Sequence, residues 1–301
     1  MPKVTKKGRP KTTVKSANPK RPVKLISVWQ LSKKGLITIR QHKQLFGGII
    51  LINGILTVIL VQGLASTNVG SLKAQFDQAF SGHFGQLASS LSVFAILIGS
   101  SGNGSSGTAG AYQFFLTLIT SLAIIWTLRQ VQNGTLVRIR DSYYKGIYPL
   151  VPFVLVLIVI GLQLLPLLIG AALYNLVMTN GIAVMVIEKI IWALLFFALA
   201  LLSLYMLSSS LFALYIVTLP DMTPIKALRS ARGLVRNRRW SVLRKILFLP
   251  LALLIGAAII MLPAIIWLAA IAPWIFFLLT MFGLVVVHSY MYSLYRELLN
   301  E

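Results

Sequence analysis

Cysteine is absent from the 301 residues, and acidic residues number only six against 28 Lys and Arg. The first absence removes disulfides, thiolate metal sites and cysteine nucleophiles, and leaves the redox compartment open. The second removes most carboxylate chemistry. No paired carboxylates, no H-E-x-x-H and no G-x-S-x-G occur, and three histidines offer no ligand set. No enzymatic activity, metal or cofactor is therefore expected. Charged residues make up 11% of the chain while hydrophobic ones reach 57%, a balance wrong for a soluble domain of this length and right for helices that cross a bilayer.

The apolar runs predict six spans at about 45–64, 112–128, 149–173, 190–217, 246–269 and 274–294, each near the roughly 20 residues that a hydrocarbon core of about 30 Å requires. The expected fold class is all-α, a polytopic transmembrane helical bundle over residues 25–299. Its spans form three hairpins, each preceded by a basic cytoplasmic interfacial segment. Pro152, Pro166, Pro250 and Pro263 predict kinks inside the third and fifth spans.

Charge sets the sidedness. With both termini inside, Lys73 and Lys189 are the only two of the 28 basic residues outside, which predicts a plasma-membrane protein with cytoplasmic ends. Residues 1–24 carry nine Lys and Arg and no acid, too little apolar surface to offset ordering entropy, so a disordered cytoplasmic tail is expected. Within it Lys7-Gly8-Arg9-Pro10-Lys11 resembles the AT-hook core. Attraction to anionic lipid, at about 1 kcal/mol per basic residue near the surface, is the expected use of the tail rather than nucleic-acid contact.

Residues 65–110 form the one long external connection. Phe84, Leu87, Leu91, Phe94 and Ile98 fall largely on one helical face over about 15 residues, too short for a span and suited to an interfacial or packed helix. If this helix crossed the membrane, the later basic loops would fall on the wrong face. Gly99 to Gly110 reads as a flexible linker. Gly102, Gly104 and Gly107 spell G-x-G-x-x-G without the strand and the distant acid that dinucleotide binding needs.

Polar residues inside the spans have structural readings. Asn53 and Gln62 suit hydrogen bonds between helices. His288 suits a bond to a neighbouring helix. Ser203 and Ser208 to Ser210 suit bonds to carbonyls one turn back. Glu188 and Lys189 sit at an interfacial edge. A transporter or channel lined by Asn53, Gln113, Gln163 and Asn175 is the alternative reading, opposed by the lack of an ionisable cluster at mid-membrane.

The chain is organised around Leu219 to Ile246. Thr223 can cap a helix that Pro224 opens. Ile225, Leu228 and Val235 predict an apolar side turned to the acyl chains, with the helix lying in the head-group plane and turning inward at about Ile246. Eight Lys and Arg lie between Lys226 and Lys245. A related pattern stands before the first span: Ser32-Lys33-Lys34-Gly35-Leu36-Ile37 matches Ser230-Ala231-Arg232-Gly233-Leu234-Val235, and Ser142, Gly146 and Ile147 keep it loosely before the third.

Ala227-Leu228-Arg229-Ser230-Ala231-Arg232-Gly233-Leu234-Val235, then Arg239-Trp240 leading into an apolar hairpin, resembles the membrane domain associated with bacterial glycerophosphoryl diester phosphodiesterases and their uncharacterised six-span relatives. In enzyme-bearing members a separate catalytic domain follows. This sequence ends at Glu301, so neither the activity nor catalytic residues are carried over. The expected role is a non-enzymatic membrane protein that holds anionic lipid head groups or a cytoplasmic protein partner. Arg229, Arg232, Arg236, Arg238, Arg239 and Trp240 are the expected contacts, since guanidinium groups pair with phosphate through two bonds at once.

Overall fold

A computed structural model of the chain describes residues 26–61, 73–75, 77–78, 85–100, 107–135, 137–236 and 238–299. The basic tail at 1–24, Gln62, Phe84, and Gly102 and Gly104 of the glycine motif lie outside the described residues. The fold is all-α, with eleven helices among those residues. They are α1 (Val28–Gln41), α2 (Lys43–Val61), α3 (Gly85–Ser100), α4 (Gly107–Gln132), α5 (Ile139–Gly146), α6 (Leu150–Thr179), α7 (Val186–Ser210), α8 (Ala213–Ile216), α9 (Pro224–Val235), α10 (Arg239–Trp267) and α11 (Ala272–Leu299).

Among the described residues, six helical stretches are long and apolar enough to cross a membrane: Lys43–Val61, Ala109–Gln132, Leu150–Thr179, Val186–Ile216, Arg239–Trp267 and Ala272–Leu299. All but the first are longer than the apolar runs alone indicate, because helix geometry continues into the polar flanks once the bundle holds them. The spans pair as α2 with α4, α6 with α7, and α10 with α11. α4 is the central one: 56% of its apolar window is buried, against 6% for the windows containing α7 and for α10, which turn their hydrophobic surface outward.

The short amphipathic helices α1, α5 and α9 precede the three hairpins, and each packs on a returning span. α5 packs on α4, and α9 packs on α7 and on the one-turn α8 that extends it. α1 has no hairpin before it and packs on α11, the last span. The array is thereby closed, first helix against last.

The faces used are stripes at i, i+4 spacing: Leu31, Gly35 and Ile39 on α1, Ser142 and Gly146 on α5, and Ala227, Ala231 and Val235 on α9. Small side chains at their centres let backbones approach. A Cβ on Gly146 would stand 3.0 Å from the Ala123 Cα of α4, and one on Gly35 3.3 Å from the Ser289 Oγ of α11. The glycine of the sequence repeat does not keep one role in the three helices. Gly233 is exposed with open space around it, so Ala231, not Gly233, does in α9 what Gly35 and Gly146 do in α1 and α5.

α3 packs one side on the bundle. It buries Val93, Phe94 and Leu97 against Met261 and Ile265 of α10 and Ala272 of α11, with Phe94 edge-on to Phe276 at 6.4 Å. Leu91 and Ile98, expected on its packed face, are exposed at 52% and 42%, because Ser89 and Ser90 point inward and rotate the buried side away from them. Beyond α3, Lys73 caps the last turn of α10 by donating to the Ile266 carbonyl at 2.7 Å.

One proline break is bridged by a side chain from a neighbouring helix. Pro166 interrupts α6, and Ser203 of α7 fits the break. Its hydroxyl donates to the Gln163 carbonyl at 2.9 Å and accepts from the Leu167 N–H at 3.0 Å, bridging a donor and an acceptor four residues apart. Ser208, Ser209 and Ser210 bond carbonyls one turn back in α7, as expected; Ser203 does not. Between α2 and α4, Thr120 donates to the Asn53 Oδ1 at 2.8 Å, and Asn53 turns its amide to Met281 of α11. Glu188 accepts from the Val184 and Met185 N–H groups at the start of α7, an anion placed at a helix N-terminus.

Candidate functional site

The α9–α10 segment begins as its sequence requires. Thr223 caps α9 by accepting from the Lys226 N–H, Pro224 takes the first position, and Asp221 before it turns the chain at φ 58°. The helix ends at Val235, and α10 starts at Arg239. The chain therefore turns inward about seven residues before Ile246, and Arg239, Trp240, Arg244 and Lys245 belong to the span helix.

α9 buries most of its expected apolar side, but against the bundle and without Ile225. Ala227, Ala231 and Val235 are fully buried, with Leu228 and Leu234 packed beside them. Ile225 is 72% exposed. Alanines allow α9 to approach α7 and α8 closely, and that packing outweighs the larger transfer gain of one isoleucine. The outward face is consequently Ile225, Arg229, Arg232 and Arg236, which fall within about 60° of one another round a helix of 3.6 residues per turn. All three arginines are exposed.

Arg238 and Arg239 are half-buried where α10 begins. Arg239 stacks over the Tyr205 ring of α7 at 4.6 Å, a contact worth roughly 0.5–2 kcal/mol. Trp240 is 68% exposed. Three of the six expected contacts thus form one outward row, two sit at the head of a span and the sixth is an outward indole.

Beneath this face lies a polar and aromatic core that sequence reasoning missed. Arg129, at the end of α4, donates to the Thr218 carbonyl at 2.8 Å, to the Tyr215 carbonyl at 3.3 Å and to the Thr218 hydroxyl. It neutralises the carbonyls that end α8. Tyr215 shares a hydrogen bond of 3.1 Å with His288 Nδ1, so His288 bonds a neighbouring helix as expected. The Tyr215 ring lies 6.1 and 6.2 Å from those of Tyr292 and Tyr295. Arg296 donates to the Gln132 Oε1 at 2.8 Å. The available signal was position: a cation at the end of the most buried span has carbonyl ends of neighbouring helices within reach.

Lys245, the last of the eight cations of this segment, is buried. Its Nζ donates to the Ile26 carbonyl at 2.5 Å, while Glu297 accepts from the Ile26 N–H. Lys245 stands three residues after Val242 and four before Leu249, both buried, so helical register marked it as inward. On α5, Tyr143 donates to the Ile49 carbonyl at 3.1 Å. Burial pushes its phenol above the usual range, and the Thr120 side chain offsets part of that.

Three of the four polar residues of the transport reading have separate surroundings. Asn53 is bonded between α2 and α4, Gln163 is buried where α6 meets α7, and Asn175 is exposed on α6.

Fold and basic face together define a multi-pass membrane protein whose amphipathic helices are fastened to the bundle by their small-residue sides. No family model, no curated protein and no solved structure matches the chain.

Proposed function

We propose that this is a non-enzymatic multi-pass protein of the plasma membrane that holds anionic phospholipid head groups on its basic, cytoplasmic end, where both termini also lie. The carrying observation is the row Arg229, Arg232 and Arg236 on a helix whose opposite face is buried in the bundle. A helix held that way cannot roll, so its three guanidinium groups stay presented on one side. Ile225 on the same face and Trp240 at the head of α10 suit the boundary between head groups and chains. Arg238 and Arg239 stand at the N-terminus of α10, where the helix dipole favours phosphate. The likeness of residues 227–240 to the phosphodiesterase-associated membrane domain belongs to the same proposal.

The test is native mass spectrometry after reconstitution in phosphatidylcholine vesicles containing phosphatidylglycerol, comparing the wild type with R229Q/R232Q/R236Q. At about 1 kcal/mol per basic residue, the variant should lose affinity for phosphatidylglycerol by about two orders of magnitude. Unchanged retention would reject the head-group role. If instead a co-purifying soluble protein is lost while phosphatidylglycerol stays, the row is a protein-docking face.

A further inference from the structure

α10 and α11 meet at one end, share α3 at the other and leave a gap between. At the basic end Tyr290 donates to the Lys245 carbonyl at 2.9 Å. At the far end α3 is wedged between the two helices. In between, a Cβ built on Gly256 or on Gly283 would meet nothing within 4 Å. These glycines therefore widen a gap, in contrast to Gly35 and Gly146, which permit close contact. The result is an apolar groove of about 790 Å³. α1 bounds it at the basic end with Trp29, Ser32 and Leu36, and α3 bounds it at the other with Phe94 and Ile98. Its long wall is the i, i+4 stripe Phe248, Ala252, Gly256 and Ile260 of α10.

That stripe continues, one turn nearer the basic end, to Arg244, which is exposed. On α1, Lys33 follows the groove-lining Trp29 by one turn and is also exposed. An apolar trough running along two spans thus has two exposed cations next to its lining, one turn from Trp29 and Phe248, and an indole that is 76% exposed. Charge and lining decide between occupants. An apolar trough with cations at one end matches an acyl chain joined to an anionic head group, and 790 Å³ lies in the usual range of about 300–1,000 Å³ for small-molecule sites.

We infer that the groove between α10 and α11 seats one anionic phospholipid, its acyl chain along Phe248 to Ile260 and its phosphate between Lys33 and Arg244. The site is separate from the α9 row and does not depend on it.

The experiment is native mass spectrometry of protein extracted from mixed phosphatidylcholine and phosphatidylglycerol vesicles. G256L/G283L fills the groove where there is room, and leucine is the better helix former. This variant should lose one retained phospholipid per chain that R229Q/R232Q/R236Q keeps. K33Q/R244Q should keep a phospholipid and lose the preference for phosphatidylglycerol. An unchanged lipid complement in G256L/G283L overturns the inference, and dissociation of a dimer with unchanged lipid would assign the groove to a second copy of the chain. As a measurement on a less altered protein, Gly256→Cys places the chain's only thiol in the groove. Added phosphatidylglycerol should slow its alkylation in neutral detergent, and an unaltered rate counts against the site.

Discussion

Lys245 and Glu297 grip the backbone of the same residue, Lys245 donating to the Ile26 carbonyl and Glu297 accepting from the Ile26 N–H. Lys245 is on α10 and Glu297 on α11, so two spans of the last hairpin hold the chain just ahead of α1. The last hairpin also supplies, through α11, the surface on which α1 packs. The beginning of the chain is therefore positioned by its end.

From this clasp we predict that Glu297→Ala loosens the entry to α1. Hydrogen bonds to charged groups contribute about 1.5–3 kcal/mol, so the variant should melt at lower temperature in detergent and be cleaved earlier by protease near residue 26. Glu297→Gln keeps an acceptor oxygen and should recover much of the difference. Equal protease resistance in all three proteins would show that the clasp contributes nothing.

The glycine contrast makes a second prediction with opposite signs. Gly146→Ala places a methyl group 3.0 Å from the Ala123 Cα, backbone that cannot yield cheaply, and should destabilise by about 1–3 kcal/mol. Gly233→Ala, in open space at negative φ, should stabilise α9 by about 1 kcal/mol through helix propensity alone. Thermal unfolding of the two variants checks both, and a loss at Gly233 would restore the repeat as the sequence presents it.

The third concerns the proline break. Ser203→Ala leaves the Leu167 N–H without its hydroxyl partner, a cost of about 1–3 kcal/mol. In a Pro166→Ala background α6 can straighten and Leu167 can bond Gln163 directly, so Ser203→Ala should cost clearly less there. Additive losses in this double-mutant cycle would refute the bridging role.

The fourth weighs the Asn53–Thr120 bond. Helix–helix hydrogen bonds in membranes average about 0.6 kcal/mol and reach about 1.7. Because both residues are buried and 2.8 Å apart, the coupling between Asn53→Ala and Thr120→Val should fall in the upper part of that range. A coupling near zero would mean that Asn53 is held by Met281 and the backbone alone.

Sequence alone determined the all-helical class, the six apolar spans and the Thr223–Pro224 start of α9. Hydropathy over some 20 residues and a capping side chain three positions from its N–H are local quantities, so reading along the chain suffices for them. Tertiary structure decided which faces are used. Ile225 is more hydrophobic than Ala227, yet Ala227 is buried, because close approach of α9 to α7 and α8 depends on size at the contact. Gly35 and Gly146 pack where Gly233 does not, although all three belong to one apparent motif. Ser203 closes a gap 40 residues away in the chain, and Lys245 reaches a carbonyl 219 residues away. Those partners are set by how the hairpins assemble. A side chain's neighbours across a helix interface depend on the positions of other helices, which local pattern does not encode.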